Sequence, residues 1–201
     1  MHISWGWIIF IAAIAIVMGW IVSIYNRLIR LRNQVKNGWS QIDVQLQRRY
    51  DLIPNLVETV KGYMDFEKST LKAVIEARNQ ASQAREQVQA SGGPLTGTNS
   101  LEKLAAAETA LKSSLGHFFA LAEAYPQLRS TENMQRLQEE LASTENRIAF
   151  SRQSYNDTVM LYNMSQQEFP TMLFATSFGH HPAALFEVVD QAAKKAVKVK
   201  F

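Results

Sequence analysis

The sequence predicts an all-α protein in which a single N-terminal transmembrane helix continues into an antiparallel bundle of long helices. Residues 3–25 contain no Lys, Arg, Asp or Glu, as expected of a segment that lies in lipid. From Val35 onward, apolar residues recur at spacings of three and four, which is typical of helices that pack on one another. The period-two alternation of strands is almost absent over the next ~140 residues, so no sheet is expected.

The apolar N-terminal segment is long enough to cross a membrane, because about 20 residues of helix span the ~30 Å hydrocarbon core. Trp5, Trp7, Trp20 and Tyr25 lie near its two ends, where aromatic rings favour the headgroup level. The alternative is a cleaved signal peptide. That alternative is disfavoured because no basic residue precedes the segment, the segment is too long, and no small-residue cleavage site follows it.

Basic residues mark the side of the membrane on which the rest of the chain lies. No Lys or Arg precedes position 27, whereas Arg27, Arg30, Arg32 and Lys36 follow the span at once. By the positive-inside rule, the N-terminus lies outside, the remainder is cytoplasmic, and the three arginines lie at the membrane interface. The chain has no cysteine, which agrees with a reducing compartment.

The first bundle helix carries a heptad of apolar residues, which we call the α1 seam: Val35, Trp39, Ile42, Leu46, Ile53, Leu56, Val60 and Tyr63. Arg49 interrupts the seam at a position that favours an apolar side chain. A buried arginine needs a carboxylate partner, and Asp43, Glu108 or Glu145 are candidates. In the alternative, Arg49 extends from the seam edge into solvent. Pro54 removes one helical hydrogen bond, so a kink is expected there.

Residues that favour turns or end helices mark the boundaries of the remaining elements. Residues 90–100 are rich in Gly, Ser, Thr, Asn and Pro and predict a loop, with Asn99 as the cap of the next helix and Glu102 completing a capping box. That helix stops at Tyr125-Pro126, and a last long helix runs from about Thr131 to just before Phe169-Pro170. The predicted divisions are an anchor (1–26), a cytoplasmic bundle (27–169) and a C-terminal region (170–201).

The C-terminal region differs from the bundle. Residues 179–182 predict a turn, residues 183–193 predict a short helix, and residues 196–201 alternate apolar and basic side chains. This tail suits an extended strand on a neighbouring surface, or else it is a frayed terminus. Val199 and Phe201 are therefore candidates for partner contacts.

Several short motifs resemble those of the LemA family: residues 37–46 and 48–57, Val60-Lys61-Gly62-Tyr63, Ala77-Arg78, Tyr125-Pro126, Tyr155-Asn156, Tyr162-Asn163, Phe169-Pro170, Phe186 and Val199-Lys200-Phe201. The resemblance covers nearly the whole chain. It implies a bacterial inner-membrane protein with one N-terminal span and a mostly cytoplasmic four-helix domain. The family has no settled biochemical activity, so the mechanism stays open.

Residues with catalytic or ligand-binding chemistry are sparse. His180 and His181 are adjacent and cannot share a helical face, so a structural turn is favoured over a metal site, and His117 is expected to be partly buried. No phosphate-binding loop, dinucleotide fingerprint or nucleophile elbow occurs. We therefore expect no enzyme activity, cofactor or metal. A net charge of +3 is too mild for a nucleic-acid binder.

The best hypothesis is a membrane-anchored scaffold that forms homo-oligomers through the α1 seam, the span and the C-terminal tail. Ala15, Gly19 and Ser23 recur every four residues in the span and would allow two helices to approach closely. A lipid-binding or membrane-shaping module, an adaptor for a membrane protease and an unknown membrane partner are the alternatives. The candidates for partner binding or helix register are Arg48, Arg49, Asp51, Pro54, Asn55, Asn156 and Asn163, in addition to the tail residues.

Overall fold

Five α-helices make up the computed structural model, which describes residues 5–62 and 67–187. In chain order they are α1 (Trp5–Lys61), α2 (Lys68–Ala90), α3 (Thr98–Ala122), α4 (Pro126–Arg129) and α5 (Glu132–Gln167). A 3-10 turn at Thr171–Leu173 follows, and no strand occurs in the described ranges. The predicted all-α class and the antiparallel bundle of long helices are confirmed.

Helix α1 is a single rod of 57 residues, about 85 Å long at 1.5 Å per residue. Its N-terminal part is apolar and exposed, and it is long and apolar enough to cross a membrane. Ile24 is the first buried residue, and the α1 seam is buried from Val35 to Val60. The helix continues through residue 26 and through Pro54, so no break separates the apolar part from the bundle.

Helices α1, α2, α3 and α5 form the four-helix bundle. Position 27 of α1 lies beside position 168, position 39 beside 155 and position 49 beside 145, so α1 and α5 are antiparallel. Gly38 lies where the two helices meet, and a Cβ there would be in van der Waals contact with Tyr155, 3.4 Å from its Cα. The chain's own helices therefore bury the α1 seam, which corrects the expectation that the seam joins separate copies.

Two local expectations are also wrong. The cap of helix α3 is Gly97 and not Asn99, since the helix already begins at Thr98. A side chain at position 97 would clash with the hydroxyls of Ser91 and Ser100. His117 is exposed rather than partly buried. At the start of α5, by contrast, Thr131 is the cap, and its hydroxyl accepts a hydrogen bond from the Met134 amide.

The predicted helix at residues 183–193 is wrong for residues 183–187, which are extended and lie along α5. We call residues 180–187 the docked segment. The rest of that prediction and the tail at residues 196–201, including Val199 and Phe201, lie outside the described residues.

Candidate functional site

The first candidate site is a polar cluster in the middle of the bundle, formed by Arg49 and Tyr50 of α1, Glu108 of α3 and Glu145 of α5. Arg49 and Glu108 are 4 % and 3 % exposed. The Arg49 guanidinium contacts Glu108 and lies 2.5 Å from a carboxylate oxygen of Glu145, and the Tyr50 hydroxyl donates to Glu108. Arg49 is thus buried and paired across two helices, which excludes the alternative in which it extends into solvent.

The charges of this core polar cluster compensate one another. Burial lowers the pKa of Arg49, and Glu145 and Tyr50 oppose that shift. Burial also raises the pKa of Tyr50 to about 12, so its hydroxyl stays protonated and remains a donor to Glu108 at neutral pH. Lys112 lies 3.6 Å from the second oxygen of Glu145. Each carboxylate has a cationic partner, so the cluster holds three helices together through paired charges.

Asp43, the third candidate partner of Arg49, belongs to a different contact. It forms a two-point ion pair with Arg85 of α2, with nitrogen–oxygen distances of 2.6 and 2.8 Å. Gln47 accepts a further hydrogen bond from Arg85 at 2.5 Å. This pair fixes α2 on α1 but was missed by sequence reasoning, because polar residues at half-buried positions give no periodic signal.

Pro54 explains a contact on the other side of Tyr50. Proline has no amide hydrogen, so the Tyr50 carbonyl loses its usual helical donor at position 54. The Arg78 side chain of α2 donates to that carbonyl at 3.2 Å. The contact joins two of the sequence motifs, since Tyr50 and Pro54 belong to the motif of α1 and Arg78 to the motif of α2. It was not predicted from the sequence.

We expect Arg78→Met to lower the free energy of unfolding by about 1–2 kcal/mol, because it leaves the Tyr50 carbonyl without a donor. In a Pro54→Ala background the same change is expected to cost less than half as much, because the alanine at that position supplies the missing amide hydrogen. Urea unfolding of the full chain in mild detergent, followed by circular dichroism, measures the difference. Lys72→Met, on an exposed position of α2, is the control. Equal costs in both backgrounds would contradict this explanation.

The second candidate site joins α5 to the docked segment through a repeated Tyr-Asn pair. The Asn163 amide donates to the Ala183 carbonyl at 2.9 Å and accepts from the Ala183 amide at 2.9 Å. Asn156 makes the same two bonds with Phe186, at 3.3 and 2.9 Å. Asn156 and Asn163 were candidates for partner binding or helix register; in the structure they bind the backbone of the chain's own docked segment.

We call these contacts of the two Tyr-Asn pairs with the docked segment the Tyr-Asn ladder. The spacing of the asparagines along α5 matches the spacing of their partners along the docked segment. Seven residues of helix separate Asn156 from Asn163, a rise of about 10.5 Å. Three residues of extended chain separate Ala183 from Phe186, a rise of about 10 Å. Both asparagines therefore meet a backbone amide and carbonyl in register, as a neighbouring strand would. This also explains why residues 183–187 are not helical, since the hydrogen-bonding groups of Ala183 and Phe186 are already engaged.

Two tyrosines and an aromatic contact complete the ladder. The Tyr155 hydroxyl donates to the Ala184 carbonyl at 2.7 Å, and the Tyr162 hydroxyl lies 2.9 Å from Nδ1 of His180. Burial raises the pKa of both tyrosines, which keeps their hydroxyls protonated. The Phe186 ring packs edge-on against Trp39 of α1, with ring centroids 5.7 Å apart. The docked segment is thus part of the bundle core.

His180 is expected to make this docking sensitive to pH. Burial, with smaller contributions from Arg32 and His181, lowers the pKa of His180 below its ordinary value of 6.5. Between 6.5 and that lower value, the released segment binds a proton that the docked segment does not, so stability falls as the pH falls below about 6.5. We expect the melting temperature to drop more from pH 7.5 to 5.5 for the natural chain than for His180→Gln, measured by circular dichroism. Equal drops would contradict this role of His180.

The other predicted site residues of α1 lie on the surface. Arg48 is half-exposed and lies 3.9 Å from Glu140, and Asp51 accepts a hydrogen bond from Gln47 at 2.7 Å. Pro54 and Asn55 are exposed as well. Of the site residues predicted on this stretch of α1, Arg49 is the one that reaches the core.

The predicted membrane-interface residues differ in exposure: the aromatic residues are all exposed, whereas one of the arginines is half-buried. Trp5, Trp7, Trp20 and Tyr25 are all exposed on the apolar part of α1. Among the arginines, Arg27 is paired with Glu168, Arg30 is exposed and Arg32 is half-buried. Over the described ranges, no group of three or more His, Cys, Asp or Glu is placed to hold a metal ion.

Comparison with known proteins gives a consistent result. The sequence profile of the LemA family matches residues 38–201. The chain is 25 % identical over 175 residues to the magnetosome proteins MamQ 1 and MamQ 2 of Paramagnetospirillum magneticum, covering 81 % of this chain and 64 % of each relative. It is 26 % identical over 158 residues to the magnetosome protein MamQ of Magnetospirillum gryphiswaldense, covering 73 % and 58 %. The chain spans about three fifths of the length of these curated relatives.

The matched region includes both the core polar cluster and the Tyr-Asn ladder, which are formed by residues between positions 49 and 186. The family match extends over most of the sequence. The chain belongs to the LemA family.

Proposed function

We propose that this protein is a membrane-anchored, non-enzymatic scaffold that holds a rigid helical bundle at the cytoplasmic face of the bacterial inner membrane. The observation that carries the proposal is α1, whose exposed apolar part and buried bundle part belong to one unbroken helix. In such a helix, the position of the span in the membrane fixes the position of the bundle. Membership of the LemA family and the similarity to magnetosome proteins support a membrane-associated helical protein.

Topology is the first test of this proposal. The chain contains no cysteine, so single cysteines introduced at His2 and at the exposed Ser113 of α3 are unique labelling sites. A membrane-impermeant maleimide applied to intact spheroplasts is expected to label His2→Cys and not Ser113→Cys. Labelling of Ser113→Cys before lysis would overturn the cytoplasmic placement.

Self-assembly is the second part of the proposal and rests on the span. The bundle buries the α1 seam internally, whereas Ala15, Gly19 and Ser23 lie on an exposed stripe of α1. A Cβ at Gly19 has no neighbour within 4 Å, so the stripe is open to a second helix. We expect native mass spectrometry of the full chain, after its detergent has been removed in the gas phase, to give a protein mass that is a multiple of the 22.7 kDa monomer.

A matched pair of variants identifies the contact. Gly19→Leu is expected to shift the protein toward monomer because it prevents close approach of the helices. Val17→Leu adds bulk on the opposite face and is expected to leave the oligomer intact. A purely monomeric natural chain at micromolar concentration would refute the assembly.

A second candidate function is electrostatic binding to an anionic leaflet, as in a lipid-binding or membrane-shaping module. It is favoured by Arg30 and Lys36, which are exposed just after the apolar part of α1. Binding of this kind weakens steeply as salt rises, because exposed charges are screened. Retention of the bundle on anionic vesicles at high salt would argue against it.

A further inference from the structure

The polypeptide that follows α5 presents a cluster of apolar side chains to solvent. Phe169, Met172 and Leu173 are 78 %, 55 % and 60 % exposed and lie within five positions of one another. Single exposed apolar residues are common on proteins, but a contiguous cluster marks a contact surface. Residues 169–179, which we call the post-α5 loop, also contain no Lys, Arg, Asp or Glu.

Contacts with α1 fix the level of this loop along the rod. Glu168 lies 3.2 Å from Arg27 at the start of the loop. The Phe178 ring packs edge-on against Tyr25 near its end, with ring centroids 5.3 Å apart. Between them, Ala175 is buried with Ile24 and Leu28 of α1.

This level is the point where the apolar part of α1 ends and its basic residues begin. If α1 crosses the membrane as proposed above, Tyr25 lies at the headgroup level and the loop lies beside it. The loop that carries the exposed apolar cluster is therefore packed on α1 at the edge of its exposed apolar part, and this position favours a bilayer over another protein as the partner of the cluster.

The backbone of the loop is also suited to leaving water. Its turns satisfy their own amides: Met172 bonds to the Glu168 carbonyl at 2.9 Å, Ala175 to Thr171 at 2.9 Å and Phe178 to Phe174 at 3.0 Å. Unsatisfied backbone groups are costly in lipid, and these turns lower the number that the loop would bring to it.

We infer that the post-α5 loop is a second membrane contact, in which Phe169, Met172 and Leu173 enter the headgroup and acyl boundary beside the span. The inference rests on the proposed function, because it requires α1 to cross the bilayer. The bundle is then attached through both α1 and the end of α5. Two attachments restrict its tilt, so the bundle stands at a fixed angle to the membrane. The loop's contact is apolar and therefore insensitive to salt, in contrast to binding through Arg30 and Lys36.

The test uses the cysteine-free full chain in lipid nanodiscs. Leu173→Cys is labelled with a polarity-sensitive fluorophore and exposed to lipids that carry a quencher near the headgroup. Val22→Cys, on the apolar part of α1, is the positive control. Phe150→Cys is the negative control, because this residue is 75 % exposed and lies beside the middle of the bundle, far from position 25 of α1.

We expect quenching at Leu173 to be several-fold stronger than at Phe150, at least half that at Val22, and unchanged when salt is raised. Quenching at Leu173 equal to that at Phe150, with Val22 quenched, would overturn the loop contact and leave the span intact. If Val22 were not quenched either, both the span and the loop contact would fail. Quenching at Leu173 that disappears at high salt would also overturn the inference.

Discussion

Replacing Arg49 by methionine is expected to destabilise the bundle by about 3–5 kcal/mol, because it leaves the Glu108 carboxylate buried without its cationic partner. This is a large share of the roughly 5–15 kcal/mol that typically separates folded from unfolded domains. Glu145 is expected to matter less, since its side chain is 38 % exposed and Lys112 lies beside it. Urea unfolding of the full chain in detergent, followed by circular dichroism, gives the change in midpoint.

Two further variants separate the charge effect from simple loss of volume. Arg49→Met combined with Glu108→Gln is expected to recover much of the loss, because the buried negative charge is gone and the Tyr50 hydroxyl keeps an acceptor. Arg48→Met removes the neighbouring arginine, whose contact with Glu140 is exposed, and is expected to cost less than about 0.5 kcal/mol. If Arg49→Met and Arg48→Met had equal midpoints, the core polar cluster would not be a stabilising element.

The sequence allowed the helices to be predicted because their apolar spacing persists over many turns. Every described position of the α1 seam is buried, as is the face of α5 that carries Met134, Tyr155 and Tyr162. Arg49 could be singled out because it breaks that spacing. Its carboxylate partners could be narrowed to three candidates but not identified. The periodicity of a single helix does not indicate which helices are its neighbours.

The Tyr-Asn ladder and the Arg78 contact were not predicted from the sequence, because they join residues that lie far apart in the chain. Residues 183–187 are extended through bonds from Asn156 and Asn163, which lie 30 and 20 positions before their partners, and local propensity does not register such bonds. A signal was nevertheless present. The Tyr-Asn pair repeats after seven residues on one face of α5, and such a repeat predicts a partner with a matching period along the chain.

Replacing both Asn156 and Asn163 by leucine is expected to release the docked segment from α5. Each substitution removes two hydrogen bonds and leaves an amide and a carbonyl of the segment unsatisfied, at about 1–3 kcal/mol for each group that stays buried. Undocking lets those groups bond to water instead, at the expense of the Phe186 contact with Trp39. Hydrogen exchange with mass spectrometry should therefore show loss of protection at residues 180–187, while peptides from α2 and α3 remain protected.

The ladder geometry also predicts how single variants differ. Asn163→Asp keeps an acceptor for the Ala183 amide but loses the donor to the Ala183 carbonyl. The exchange rate at residues 180–187 in this variant is therefore expected to lie between those in the natural chain and in Asn163→Leu. Asn146→Leu changes an exposed asparagine on the same helix and is the control, with no change expected at residues 180–187. Unchanged exchange in the double variant would mean that the tyrosine hydrogen bonds and the packing of Phe186 hold the segment without the asparagines. In that case the repeated asparagines would need another explanation.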